Sequence, residues 1–378
     1  MPTSIDRWTH CHRAARILVA LSAAISLHLF AAESGAEEER VVTALGGKVT
    51  RDAQRPNSPI IEVFLGGTGA TDDDVAKLSK LSELEEFSIA STRITDAALQ
   101  TIKGFSKLRA LHLAGNAVTD AALEQVKSLT HLKLLGLKGT KISDAGIAHL
   151  SGLTELEWLG LRDNNLTDAG LEHLGKLTNL PGVSLSFTKI TDAGMRHFAG
   201  LTHMKRLLLD HTAISDESLK NLVKMSDLQT LDLSFTRITD VGVSELAGLK
   251  KIQMLELAGT KITDAALGAI AKFPGLKDGE GQVQPVVPGA KDPKGLPSDF
   301  GLNVSGCTIS DKGLAQLAGL PGIKRLILVK TGITDESVAT LTSLPALEIL
   351  DISATKISDE AAAKLRGMKT LKQLVNRK

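Results

Sequence analysis

The chain has 378 residues, 43% of them hydrophobic and 23% charged, enough apolar material to bury a large core and too little charge for a disordered polyelectrolyte. Aromatic residues make up 3% and tyrosine is absent, so Leu, Ala, Ile and Val must do nearly all the packing, a bias that points to repetition. The 44 basic residues against 43 acidic ones remove the positive excess that phosphate-backbone binding requires, and two cysteines, Cys11 and Cys307, are too few for a disulfide framework or a four-thiolate zinc site.

Residues 1–34 read as a signal peptide. Arg7, Arg13 and Arg16 precede an apolar run from Ile17 to Ala32, which falls short of the roughly 20 residues a spanning helix needs. Small residues at Ala32, Ser34 and Ala36 suit cleavage after Ser34 or Ala36. The expectation is a secreted or periplasmic protein without a membrane span, or an N-terminally anchored one if the run is retained. Residues 35–60 follow as an N-terminal cap. Glu37 to Leu45 can form a short amphipathic helix stopped by Gly46 and Gly47, with strands over Lys48 to Arg51 and Ile60 to Leu65 around a turn containing Pro56 and Pro59.

From residue 61 a motif of aliphatic, Thr or Ser, then Asp returns along the chain. Its aspartates are Asp72, Asp96, Asp120, Asp144, Asp168, Asp192, Asp216, Asp240 and Asp264, each 24 residues after the last, then Asp311, Asp335 and Asp359. In the copy at Asp120, Leu111, Leu113 and Val118 come before it and Leu123, Val126, Leu129 and Leu132 after it. The first pair has the period of a strand and the later set recurs every three residues, as in a short helix. Each copy therefore reads as strand, turn and short helix, with the Asp column most simply capping the helices.

Four residues before each Asp lies a polar column: Thr68, Thr92, Asn116, Thr140, Asn164, Thr188, Thr212, Thr236, Thr260, Cys307, Thr331 and Thr355. The chain turns inward there, and its backbone groups need such a ladder of small hydrogen-bonding side chains. Cys307 stands in this column, which favours a structural role over a reactive thiol. A single copy cannot bury its aliphatic stripe alone, so the copies are expected to stack into a solenoid.

Copies one to nine occupy 61–276 and copies ten to twelve lie within 301–378, with a Gly- and Pro-rich insertion over 277–300. The insertion reads as either functional or disordered. After the last helix the chain stops soon, so its end is expected to be closed by a polar helix face.

Segments such as LRALHLAGNAVTDAAL (108–123) and LEWLGLRDNNLTDAGL (156–171) resemble leucine-rich repeats over about 61–375. The T-x-I-T-D-A-G-L variant is similar to the cysteine-containing type of eukaryotic F-box proteins and to secreted bacterial repeat proteins. The resemblance implies an α/β fold, a right-handed horseshoe solenoid with a parallel sheet on the concave face, short helices on the convex face, and macromolecular ligands bound on the sheet side.

The concave face is read from residues eight, six and five before each Asp, most of which are Gly, Ala or Ser. Copies five to nine differ: Trp158, Arg162, Asp163, Phe187, Arg206, Asp210, His211, Asp232, Phe235 and Glu256 gather on neighbouring strands. Phe187, His211 and Phe235 share one position in successive copies, so their rings should stack about 5 Å apart, either as binding anchors or as padding over the turn. Asp210, Asp232 and Glu256 read as a solvated face countered by Arg206 and His211 rather than as an acid–base or cation site.

His149, His173 and His197 align on the helical face, where helix spacing of about 8 to 10 Å is too wide for shared zinc ligation. A recurring Lys or Arg three before the Asp (Arg93, Lys141, Lys189, Arg237, Lys261, Lys356) reads as compensating the Asp column. Asn165 and Asn303 open glycosylation sequons, which matter only in a eukaryotic secretory pathway. No phosphate loop, dinucleotide fingerprint, paired-His zinc motif or nucleophile elbow is present in the sequence. The sequence thus points to non-enzymatic recognition of a protein or envelope ligand, with no cofactor, metal or nucleic-acid partner. A structural envelope protein, an enzyme and a ubiquitin-ligase-type adaptor are the other readings.

Overall fold

A computed structural model describes residues 35–274 and 301–378; the signal-peptide and insertion-loop expectations lie outside the described residues. A helix over 35–44 leads into an antiparallel pair, β1 (Lys48–Arg51) and β2 (Ile60–Phe64), whose register slips at Thr50/Arg51. The repeats then contribute β3 (Glu86–Ser88), β4 (Ala110–His112), β5 (Leu134–Gly136), β6 (Trp158–Gly160), β7 (Gly182–Ser184), β8 (Arg206–Leu208) and β9 (Thr230–Asp232). They continue with β10 (Met254–Glu256), β11 (Gly301–Asn303), β12 (Arg325–Ile327), β13 (Ile349–Asp351) and β14 (Gln373–Val375). These form one 14-stranded sheet in chain order, parallel from β2 onward, with a short α or 3₁₀ segment between successive strands.

Strict periodicity fixes the register. Leu111 faces Leu135, Leu135 faces Leu159 and Leu159 faces Val183, and all four are fully buried. The helical positions of the same copy, Leu123, Val126, Leu129 and Leu132, close the other side of the core. No strand could bury this stripe without its neighbours, so one continuous core runs through the stack. β10 pairs directly with β11, Leu255 beside Leu302, so copies nine and ten are adjacent in space despite the insertion between them in sequence.

The aspartates do more than cap. Each helix starts at the Asp itself, and the Thr or Ser before it is the N-cap; Thr119 Oγ1, for example, accepts the Ala121 amide at 3.3 Å. The carboxylate reaches instead into the following repeat. Oδ1 accepts the backbone N–H of the next N-cap residue at 2.7–2.9 Å and Oδ2 accepts its hydroxyl at 2.5–2.8 Å, from Asp72–Thr95 through to Asp335–Ser358. This corrects the expectation of an intra-repeat cap: the Asp column clamps one repeat to the next. Space for it is left two residues after the Asp, where a Cβ on Gly194 would sit 2.4 Å from Asp168 Oδ1. Where serine stands there instead, Ser218 and Ser337, its hydroxyl donates to the same carboxylate.

The Thr/Asn column carries the turn. Asn116 donates to the carbonyls of Ile89 and Leu113 and accepts from the Thr92 amide and hydroxyl, while Asn164 donates to Leu137 and Leu161 and accepts from Thr140. Thr188, Thr212, Thr236, Thr260, Thr331 and Thr355 each donate to the carbonyl three residues earlier. Cys307 takes the same place, its thiol donating to the Leu257 carbonyl at 3.2 Å and lying 3.6 Å from the Thr260 hydroxyl. Burial pushes that thiol above its ordinary pKa against the hydrogen bonds from Thr260.

The C-terminal end also differs from the expectation. The last described element is a strand, β14, which pairs with β13, and Arg377 and Lys378 then bond Ser353 and Asp359. Leu374 sits beside Leu350, so this strand extends the sheet past the last helix. No helix among the described residues is long and apolar enough to cross a membrane.

Candidate functional site

Five residues before each Asp the backbone leaves the strand, and the whole column lies at positive φ: Gly67, Ser91, Gly115, Gly139, Asp163, Phe187, His211, Phe235, Gly259, Gly306, Lys330 and Ala354. Glycine is the unstrained occupant here. Phe187, His211 and Phe235 take the same conformation with φ of 56°, 57° and 56°. Each pays a backbone strain of about 1–2 kcal/mol. The three rings stack face to face, with centroids 3.9 Å apart for Phe187–His211 and 4.4 Å for His211–Phe235. Stacking of this kind contributes about 0.5–1.5 kcal/mol per pair, so the two pairs offset only about half of the strain of the three residues.

Both ends of the stack are closed. The Arg162 guanidinium lies 4.1 Å from the Phe187 ring centroid, and at the other end Phe235 lies against Gly259, where a Cβ would come within 2.5 Å of the ring. The ring faces are therefore occupied while their edges stay open. Phe187 remains 41% and Phe235 54% exposed, which argues against padding of the core.

The remaining candidates lie deeper in the concave face. Trp158 and Arg206 stand ten residues before their Asp, in a further inward column. Trp158 is only 5% exposed: it packs with Leu134 and Leu208 in a small second apolar cluster, lies over Gly182, and has the Arg206 guanidinium 5.4 Å from its ring centroid. It is not an open anchor. Asp210, Asp232 and Glu256 are buried, contrary to the expectation of a solvated face. The curved sheet crowds long side chains together on its inner side, and each acid is tied in. Asp210 pairs with Arg162 at 2.9 Å and accepts from Ser186; Asp232 accepts the Ser234 amide at 3.0 Å; Glu256 accepts from Asn303 at 2.7 Å and lies 3.3 Å from Arg325.

His211 sits between two phenyl rings, and Arg162 and Arg325 make ion pairs to Asp210 and Glu256 of the kind expected of His211. Asp163 is exposed next to the stack. Asn303 and Arg325 escape the sequence reading, although Asn303 stands eight before its Asp in the column of Asp232 and Glu256. Arg325 shares the ten-before column with Trp158 and Arg206, which was the available signal.

Three residues before the Asp, Lys189, Arg237 and Lys261 are exposed. They form no direct ion pair with the Asp column, whose carboxylate oxygens are turned to the clamps, so any compensation between the two columns acts through space. Among the described residues no group of three or more His, Cys, Asp and Glu side chains is arranged to hold a metal ion.

The family described as "Leucine-rich repeat region" matches residues 83–376, and the chain belongs to it. No curated protein sequence matches the chain. Among solved structures, an internalin (inlF) from Listeria monocytogenes is 21% identical with a TM-score of 0.58, over 89% of this chain and 93% of that one. The plant peptide hormone receptor RGFR1, solved with RGF2, is 16% identical with a TM-score of 0.44, over 80% and 49%. The Arabidopsis receptor kinase HAESA, solved with the peptide hormone IDA and the co-receptor SERK1, is 16% identical with a TM-score of 0.46, over 82% and 60%. The internalin likeness shows the shared fold.

Proposed function

We propose that this leucine-rich repeat chain is an exported, non-enzymatic recognition protein that binds a protein partner along the turn-side rim of repeats five to nine, next to the concave sheet. The observation that carries this reading is the exposed aromatic stack of Phe187, His211 and Phe235 at positions where glycine would be less strained. Interfaces draw their energy from such aromatic anchors beside charged groups. The tied-in carboxylates at Asp210, Asp232 and Glu256 support binding over acid–base catalysis, which needs a group poised to exchange a proton with substrate. Export rests on the apolar run from Ile17 to Ala32 behind three arginines.

A photo-crosslinking side chain at half-exposed Ala213, between the rows of Lys189 and Arg237, tests the reading against the same probe at Val241 on the helical side. The expected result is a defined protein adduct at 213 in native envelope extract, absent at 241 and lost in Phe187→Ala/Phe235→Ala. Equal labelling at both sites, or an adduct unaffected by the double substitution, counts against it. Adducts formed only with further copies of the same chain would favour a structural envelope role.

A further inference from the structure

Burial alternates along the turns of repeats six to nine: the residue five before the Asp is exposed, the next is buried in the ladder, the third before is exposed again (half-exposed at Ala213), and the aliphatic residue after it is buried. The aromatic column and the basic column therefore emerge on the same side of the solenoid, about 7 Å apart along the chain at extended rise. The rows of this rim are Phe187 with Lys189, His211 with Ala213, Phe235 with Arg237, and Gly259 with Lys261. Arg237 and Lys261 have no carboxylate partner among the described residues, and Lys189 donates only to the Asn165 amide oxygen at 2.7 Å. Asp168, Asp192, Asp216 and Asp240 keep their charge, but each turns its oxygens to the following N-cap and forms no direct ion pair with these cations, whose ends stay open to solvent. Exposed Asp163 marks the one acidic end of the rim.

The way the rings are held adds to this charge pattern. Their faces are taken up by one another, by Arg162 and by Gly259, so a ligand meets ring edges. The edge of an aromatic ring is the positive part of its quadrupole, whereas carboxylates, carbonyl oxygens and the faces of other aromatic rings are negative. Edges and cations thus ask for the same kind of partner. We infer that this rim binds an acidic, aromatic-containing segment of another protein in extended form, running across the strands from the Phe187 row toward Lys261. At about 4.8 Å per strand that path covers roughly 14 Å, about four extended residues. Asp163 sets its direction by disfavouring acidic residues at the Phe187 end. This inference rests on the recognition reading above and names the chemistry of its partner.

The test uses the purified chain and a fluorescein-labelled peptide repeating Glu-Glu-Phe-Ser, read by fluorescence anisotropy. Matched peptides replace Glu with Gln, or Phe with Ala. The acidic peptide should bind about tenfold more tightly than its Gln analogue, three exposed cation–carboxylate pairs together being worth about that factor. Lys189→Glu/Arg237→Glu/Lys261→Glu should remove the preference, Phe187→Ala/Phe235→Ala should weaken the Phe peptide and leave the Ala peptide unchanged, and Asp163→Lys should strengthen binding. Rising salt should erode the difference between the Glu and Gln peptides.

A Gln analogue that binds equally well, or a charge-reversed variant that binds as before, overturns the inference. So does a heparin fragment or oligonucleotide of matched charge binding as tightly as the peptide, since the rim would then serve polyanions in general. If the peptides fail while the Ala213 adduct persists, the partner chemistry is wrong and the recognition reading survives; loss of both overturns the two together.

Discussion

Breaking one clamp should uncouple two repeats, and Asp168 offers the clearest case. Its carboxylate accepts the Thr191 amide at 2.8 Å and the Thr191 hydroxyl at 2.6 Å, both in a partly buried seam. Asp168→Ala removes both acceptors and leaves two donors that water reaches only in part. Hydrogen bonds to a charged group contribute about 1.5–3 kcal/mol each in favourable settings. Discounting for partial exposure, the loss should be about 2–4 kcal/mol. Thr191→Val removes the hydroxyl bond to Asp168 and also the N-cap bond from the Ala193 amide; a double-mutant cycle with Asp168→Ala isolates the first and should give a coupling of about 1–2 kcal/mol.

Urea unfolding followed by circular dichroism, with midpoint and slope fitted separately, measures these values. A broadened or split transition would itself report uncoupling, because stability in a stacked array is a sum of repeat and interface terms. Asp359 provides the control: its carboxylate meets only the exposed Lys378 ammonium, so Asp359→Ala should leave the transition almost unmoved. A midpoint for Asp168→Ala indistinguishable from that of Asp359→Ala would refute the clamp.

Acid should weaken the same seams. Burial tends to raise Asp192, but donation from the Ser215 and Ser218 hydroxyls and amides outweighs it and holds the carboxyl below its ordinary pKa; Asp311 behaves likewise through Ser337 and Thr334. A carboxylate whose pKa is lower folded than unfolded adds stability that is complete above the unfolded value of about 4 and disappears as pH falls through the folded one. Asp192→Asn/Asp311→Asn should therefore be less stable than the native chain at neutral pH and lose less stability below pH about 4, as equilibrium unfolding at each pH would show. At Phe235 the usual order of small residues should invert: with φ of 56°, Phe235→Gly should be more stable than Phe235→Ala by about 1 kcal/mol, and an ordinary Ala advantage in thermal unfolding would contradict the strained turn. Cys307→Thr should fold within about 1 kcal/mol of native, since threonine fills this place in the ladder elsewhere, and in a Cys11→Ser background Cys307 should react with a thiol reagent only after urea is added.

Much of this architecture can be read from spacing alone. The 24-residue recurrence of aspartate and the aliphatic columns around it place Leu111, Leu135, Leu159 and Val183 side by side, because a single repeat has no other way to bury them. The contact of Phe187, His211 and Phe235 follows from their shared position in successive copies. Partner choice among side chains is less visible. A periodic Asp before a helix looks like a cap, and only the offset of one repeat against the next turns it toward Thr191, Ser215 or Thr239. Trp158 looks like an exposed anchor until Gly182 on the next strand gives its ring a place to lie. Asn303 and Arg325 reach Glu256 only because β11 docks on β10 across the insertion.

Periodicity by itself determined the stacked fold, the in-register core and the polar column under the turn, since each follows from burying the same stripe and satisfying the same backbone groups in every copy. Tertiary structure alone decided which residues of the inner face are covered and which stay open. Curvature and close packing draw Trp158, Asp210, Asp232 and Glu256 out of solvent, while the left-handed turn lifts Phe187, His211 and Phe235 to the rim with only their edges exposed.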